Sequence, residues 1–300
     1  MGILRGATGP AYGSGRGAYC VDGRRTQAAW ANMSVVVVRG RARGPVAFSG
    51  FSGTVAQSAV LELLGAGELH GARPKPFAVW PLVAGGRPLL DGAVVEAGVP
   101  VELRVGFAVR ELARRFVEAV SGRGALRLFA AEVPVEEVEF WEAPRRLEER
   151  PCFKAEFVSP ARFETHPYYA RDRPVYDFTP RPLNLLLSAV AYGRRFGFLR
   201  LGTPFLRWAY TYVGLTDFGC RGPCVRTVRL LGGGVARGFV GWALYRAFSQ
   251  RRLPDLWRAL AVAEAFNVGT GRGMGLGAVR ITPLDCPGGG PRGPPAEGEQ

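Results

Sequence analysis

The chain has 300 residues, 47% of them hydrophobic, and a formal net charge of +14 at pH 7. That apolar content builds a real core and excludes wholesale disorder. No window approaches 18 consecutive apolar residues, which excludes a spanning helix. The pI near 10.3 points to an acidic partner, either nucleic acid or an anionic membrane surface. Lys75 and Lys154 are the only lysines among 39 basic residues, and the rest are arginine. The excess is +4 over residues 1–150 and +10 over residues 151–300, so the second half should meet the partner.

Residues 1–32 are Gly- and Arg-rich with no apolar h-region, so they read as a disordered tail rather than a secretory leader. A cytoplasmic protein is expected. Met33 opens the first strong strand and is a candidate for the true start. Ser34–Gly40 is β-branched and reads as a strand. Thr54–Leu64 has helical spacing, with Val55, Ala59 and Leu63 on one face. Phe77–Val83 looks extended, and Val99–Val105 alternates with period two. Val109–Val120 is an amphipathic helix, and Leu126–Val133 is a further strand. The order β-α-β-β-α-β is the ferredoxin-like unit.

The second half repeats the order. Cys152–Val158 reads as a strand and Pro182–Arg194 as a helix with Pro in its first turn. Leu206–Gly214 and Val225–Leu231 read as strands. Phe239–Phe248 and Leu256–Phe266 read as helical, broken near Pro254. Ala278–Thr282 is the last strand. The expected class is α+β, two tandem ferredoxin-like (RRM-like, βαββαβ) domains. The first spans 33–145 and the second 150–285, with a low-complexity tail over 286–300.

Five cysteines are too few for a secreted disulfide framework. Cys220 and Cys224 form the one close pair. A zinc site would need a second pair, so no metal is expected. A disulfide there would suit a thermophile, as does the scarcity of Asn and Gln.

Between Val268 and Ile281, glycines at 269, 271, 273, 275 and 277 alternate. A Walker loop would need Gly-Lys-Ser/Thr before a helix, and a Rossmann turn a strand before and a helix after. Here a helix precedes and a strand follows, so no nucleotide cofactor is expected. The reading, favoured over a tight, flexible helix-to-strand turn because the alternation is longer than a turn needs, is a backbone surface closely approached by a polymer, with N–H groups turned to phosphates and Arg272 adding charge.

His70 sits in a polar loop with Arg73 and Lys75, unlike a packed core histidine. A single histidine with a nearby lysine can support RNA self-cleavage; the plainer reading is a solvated basic loop. In self-cleavage the histidine moves a proton from the 2′-OH while cations stabilise the phosphorane. His166 precedes a proline among Arg162, Arg171 and Arg173 and reads as a loop residue or phosphate contact. Tyr168, Tyr169 and Tyr176 nearby suit base stacking.

Three segments together resemble a known family. They are Leu69-His70 with Lys75-Pro-Phe77 and the following strand, Phe157-Val-Ser-Pro160 leading to Pro180-Arg-Pro182-Leu, and the glycine loop closing on Val279-Arg280-Ile281. In this order they resemble the CRISPR-associated repeat-cleaving endoribonucleases of the RAMP superfamily. The resemblance implies metal-independent cleavage of precursor CRISPR RNA within repeats, leaving a 2′,3′-cyclic phosphate and a 5′-OH. His70 and Lys75 fall on the family's catalytic histidine and transition-state lysine. Arg73, Gly269, Gly271, Arg272, Gly273, Gly275, Gly277 and Arg280 are then expected to bind RNA. Fuller family triads carry a tyrosine on the first helix; here that turn has Ser58. The alternative is a non-catalytic RAMP subunit holding CRISPR RNA among effector-complex subunits. Neither reading involves a membrane, and a monomer or homodimer is expected.

Overall fold

A computed structural model describes residues 33–65, 67–129, 131–142, 148–165 and 174–286. The N-terminal tail, residues 143–147 at the expected boundary, and His166, Tyr168, Tyr169, Arg171 and Arg173 lie outside the described residues, as does 287–300.

The first half begins with β1 (Ser34–Arg41), β2 (Val46–Phe48) and helix α1 (Ser52–Leu64). A short helix α2 (Gly67–Gly71) leads to β3 (Phe77–Val79), β4 (Val83–Ala84), β5 (Arg87–Pro88) and β6 (Ala93–Val95). Then come β7 (Pro100–Phe107), α3 (Arg110–Arg123), β8 (Ala125–Leu128) and β9 (Ala131–Glu142). The sheet order β4-β7-β1-β9, with β3 also paired to β7, is the ferredoxin-like order second-third-first-fourth. The Val-rich β1 is buried on both faces, as suits a central strand. Val36 and Val38 pack with Phe107, Phe116 and α1, while Val35 and Val37 meet the core of the second half.

The second half comprises β10 (Cys152–Ala161), β11 (Phe163–Thr165), β12 (Val175–Asp177), α4 (Pro182–Arg195), α5 (Thr203–Tyr212) and β13 (Val213–Gly219). It continues with β14 (Val225–Arg229), β15 (Val235–Ala247), α6 (Leu253–Phe266) and β16 (Val279–Leu284). The order β13-β15-β10-β16 repeats second-third-first-fourth. The chain is therefore α+β with two tandem ferredoxin-like units.

Four sequence expectations are corrected. Residues 206–212, expected as a strand, end the helix α5, because Pro204 sits in its first turn and Phe205, Trp208 and Ala209 bury at helical spacing. Phe239–Phe248, expected as helical, lies on β15 as far as Ala247, with Phe248 just past its end. Ala243, Tyr245 and Ala247 bury at alternate positions, and the strand is paired on both edges. Pro254 does not break a helix but opens α6. The strand expected over 126–133 folds back into two at Phe129, whose φ is +63°.

Cys220 and Cys224 are disulfide-bonded, and so are Cys152 and Cys286, 134 residues apart. Spacing could not suggest the second pair. It brings Cys286, read as the start of a tail, onto the first strand of its unit. A loop of that length restricts the unfolded chain strongly, so Cys286→Ser should cost about 3–5 kcal/mol. Denaturant unfolding with and without reductant checks this. The wild-type protein should lose stability in reductant, and the variant should lose little further.

Candidate functional site

The candidate site forms where the two units meet. His70 lies on the last turn of α2 and is exposed. The Lys75 Nζ donates to the carbonyls of Leu69 (2.9 Å) and His70 (2.6 Å), the open acceptors at the end of that helix. Lys75 thereby fixes the turn that presents the imidazole. Burial, and then the Arg73 guanidinium, hold its ammonium below the usual lysine range. Arg73 itself is exposed.

From the second unit, Tyr192 of α4 donates its hydroxyl to the Lys75 carbonyl (3.0 Å). The glycine loop closes over the Lys75 stem, since a Cβ at Gly273 would lie 2.4 Å from Lys75 Cδ. A Cβ at Gly275 would lie 2.7 Å from the Cα of Gly53 on α1, and Gly275 has φ +83°. At Gly277, φ is +68° and a Cβ would lie 1.8 Å from the Val268 carbonyl oxygen. The alternation expected as a polymer-facing surface is thus required by packing and by left-handed backbone.

Most loop amides turn inward. Gly269 donates to Ser188 Oγ (2.6 Å), Thr270 to the Arg162 carbonyl (3.0 Å) and Gly277 to the Pro160 carbonyl (2.9 Å). Met274, Gly275 and Leu276 donate within the loop. Ala278 donates to Ser159 Oγ (2.8 Å), which itself donates to the Gly275 carbonyl (2.6 Å).

Arg272, expected to reach phosphate, also faces inward. Its Nη2 donates to the Ser188 carbonyl (2.7 Å), its Nε to the Gly269 carbonyl (3.2 Å), and its Nη1 to the carbonyls of Phe266 and Asn267. The last carbonyls of α6 need donors, and this guanidinium supplies them. It stacks on Tyr192 at 4.8 Å, and burial pulls its pKa down to about 10. Buried Asn267 donates to the Val79 carbonyl (2.8 Å) of β3 and to the Leu276 carbonyl (3.2 Å). The sequence reading passed over Asn267, Ser188 and Tyr192. An Asn closing a helix before a glycine run was the available signal.

Ser58 is exposed, and its hydroxyl donates to the Thr54 carbonyl (3.1 Å). Arg280 stands on β16, past the loop, 3.4 Å from Glu156 and 5.9 Å from the ring of Trp80. Tyr176 lies under the Arg162 guanidinium at 4.5 Å. The structure therefore unites His70, Lys75, Gly273 and Gly275, and sets Arg280 to one side.

Residues 155–279 match the model of the CRISPR-associated endoribonuclease Cas6 family. Over that segment the chain is similar to the Cas6 family. A Thermus thermophilus Cas6 superposes with a TM-score of 0.54 at 20% identity, over 84% of this chain and 98% of that one. The product complex of the same Cas6 gives 0.61 at 20% identity, over 85% and 100%. A Cas6-related protein from Pyrococcus furiosus gives 0.57 at 13% identity, over 83% and 98%. No curated protein matches the chain in sequence.

The molecule also holds a cleft between the first sheet and α6 with β16, lined by Arg39, Arg104, Glu102, Glu139 and Glu264. Arg39 is held there by Glu102 (3.0 Å), Glu137 (2.9 Å) and Glu139 (3.1 Å). The cleft has mixed charge, whereas the seam at Lys75 is cationic. Among the described residues, no helix is long and apolar enough to cross a membrane.

Proposed function

We propose that this chain binds CRISPR repeat RNA and cuts it without a metal ion. The 2′-oxygen attacks the adjacent phosphorus as its proton leaves. The bond to the 5′-oxygen then breaks as that oxygen gains a proton, giving a 2′,3′-cyclic phosphate and a 5′-OH. His70 is the group that moves the proton. Lys75 and Arg73 stabilise the charge of the phosphorane. Gly269 to Gly277 shape the wall against which the RNA backbone lies, with the amides of Gly271, Arg272 and Gly273 nearest phosphate, and Arg272 holds that wall from inside.

One observation carries the reading. The Lys75 ammonium is anchored on the backbone of His70 itself. A proton-transfer group and a cation therefore share one exposed turn. An ammonium has three donors, and two are engaged, which leaves one for a phosphate oxygen. The match to the Cas6 family model and the shared fold support the same reading.

The test incubates end-labelled repeat RNA with the protein in EDTA. A single cut with a cyclic-phosphate end, abolished by a 2′-deoxy nucleotide at that position, is the expected result. Cleavage only with added divalent metal would overturn the mechanism. Tight, salt-sensitive binding with no cleavage would instead assign the chain as a non-catalytic RAMP subunit.

A further inference from the structure

We propose that the open face of the second sheet is a stacking platform for single-stranded RNA flanking the cut, with Trp242 and Phe248 as its stacking rings. This rests on the RNA-processing reading above and adds a second contact surface to it.

The sheet has two unlike faces. Phe153, Ala155 and Phe157 of β10, Ala243 and Tyr245 of β15 and Ile281 of β16 are buried with the three helices of this unit. The alternate residues point the other way. Register joins them into one surface, with Glu156 between Trp242 and Arg280, and Lys154 between Leu244 and Thr282. Arg246 and Phe248 continue the β15 line.

Both rings lie across a neighbouring strand where it has no side chain. A Cβ at Gly219 would sit 2.8 Å from Trp242 Cζ2 and 3.2 Å from its Nε1. A Cβ at Gly214 would sit 2.9 Å from Phe248 Cε2. Glycine at both positions lets each ring rest on β13, and Phe248 remains 59% exposed. A ring seated on one face and open on the other suits a nucleobase.

The surrounding charge fits the same occupant. Lys154, Arg246 and Arg280 share this face with Glu156 and Asp217. Glu156 is paired with Arg280 at 3.4 Å, and Asp217 Oδ1 accepts from the Phe218 amide at 2.8 Å. The Arg246 guanidinium lies 5.3 Å from the Phe248 ring. In RNA-recognition sheets of this topology the stacking aromatics also stand on the open face. Position completes the argument. β16 starts two residues after Gly277, so Arg280 follows the loop directly, Trp242 stands two strands away across Glu156, and Phe248 lies roughly 20 Å further along the β15 line.

The test measures binding of a short oligouridine by tryptophan fluorescence and by filter retention. Wild-type protein should bind it in a salt-sensitive way with quenching. Trp242→Leu and Phe248→Ala should each weaken it roughly tenfold, while Trp242→Phe, which keeps a ring, should stay close to wild type. Thermal melting of each variant shows that it folds. Equal binding by wild type, Trp242→Leu and Phe248→Ala would overturn the proposal, as would loss in Trp242→Phe equal to that in Trp242→Leu. Failure of the processing reading shows separately, as absence of repeat cleavage by the wild-type protein.

Discussion

His70→Ala should lower the single-turnover rate of repeat cleavage about 10²- to 10⁴-fold, the range of a lost general acid–base group. The side chain is exposed at the end of a short helix. Its removal leaves no buried cavity, and the melting temperature should stay within a degree or two of wild type. Affinity for repeat RNA carrying a 2′-deoxy nucleotide at the cut should also persist, because the loop and its anchors do not involve the imidazole. Cleavage at the wild-type rate would remove His70 from the mechanism. A parallel fall in affinity and melting temperature would mark it as structural.

Lys75→Met should reduce the rate by about 10²- to 10³-fold, as for loss of a preorganised donor to a developing oxyanion. The substitution also releases the Leu69 and His70 carbonyls from their shared donor. It therefore loosens the turn that aims the imidazole, so the effects of His70→Ala and Lys75→Met should not add. The pH dependence separates Lys75's two roles. Burial and Arg73 lower its folded pKa below the unfolded value of 10.5. Between these two values the unfolded chain binds more protons, so the lysine's contribution to stability rises with pH. Transition-state stabilisation needs the charged form and falls over the same window. Wild-type cleavage should thus decline on the alkaline side before 10.5 while this contribution to stability increases. Lys75→Arg, which stays charged, should move the decline upward. Rates over an alkaline series of buffers check this, and a flat profile in the wild type would argue against a role for the ammonium in the reaction.

Much of this was legible in the sequence, and the exceptions have physical causes. Residues 34–40 are β-branched and residues 109–120 carry a helical period, and their elements stand within a few residues of where those signals put them. Residues 206–212 and 239–247 do not. Both mix small and aromatic residues, which either period accommodates, and the ladder partners that decide β15 lie far away in sequence. The glycine run was visible as a loop, but its purpose was not. Gly275 is small because Gly53 is there, and Gly273 because Lys75 is. Arg272 advertised charge, and the carbonyls that absorb it belong to the end of the preceding helix and to Ser188 of α4. Local pattern finds elements, whereas long-range closure decides what a residue in them faces.

The Cys152–Cys286 bond has a topological consequence. It joins the first strand of the second unit to the segment just past its last, so residues 152 to 286 form a covalent ring. Every helix of that unit and the glycine loop lie on the ring. A protease that nicks any exposed turn within it opens the circle without separating the pieces. The nicked protein should migrate as one species without reductant and as two with it. The ring likewise marks where new termini could be cut into this unit, since the old ends are already stitched together.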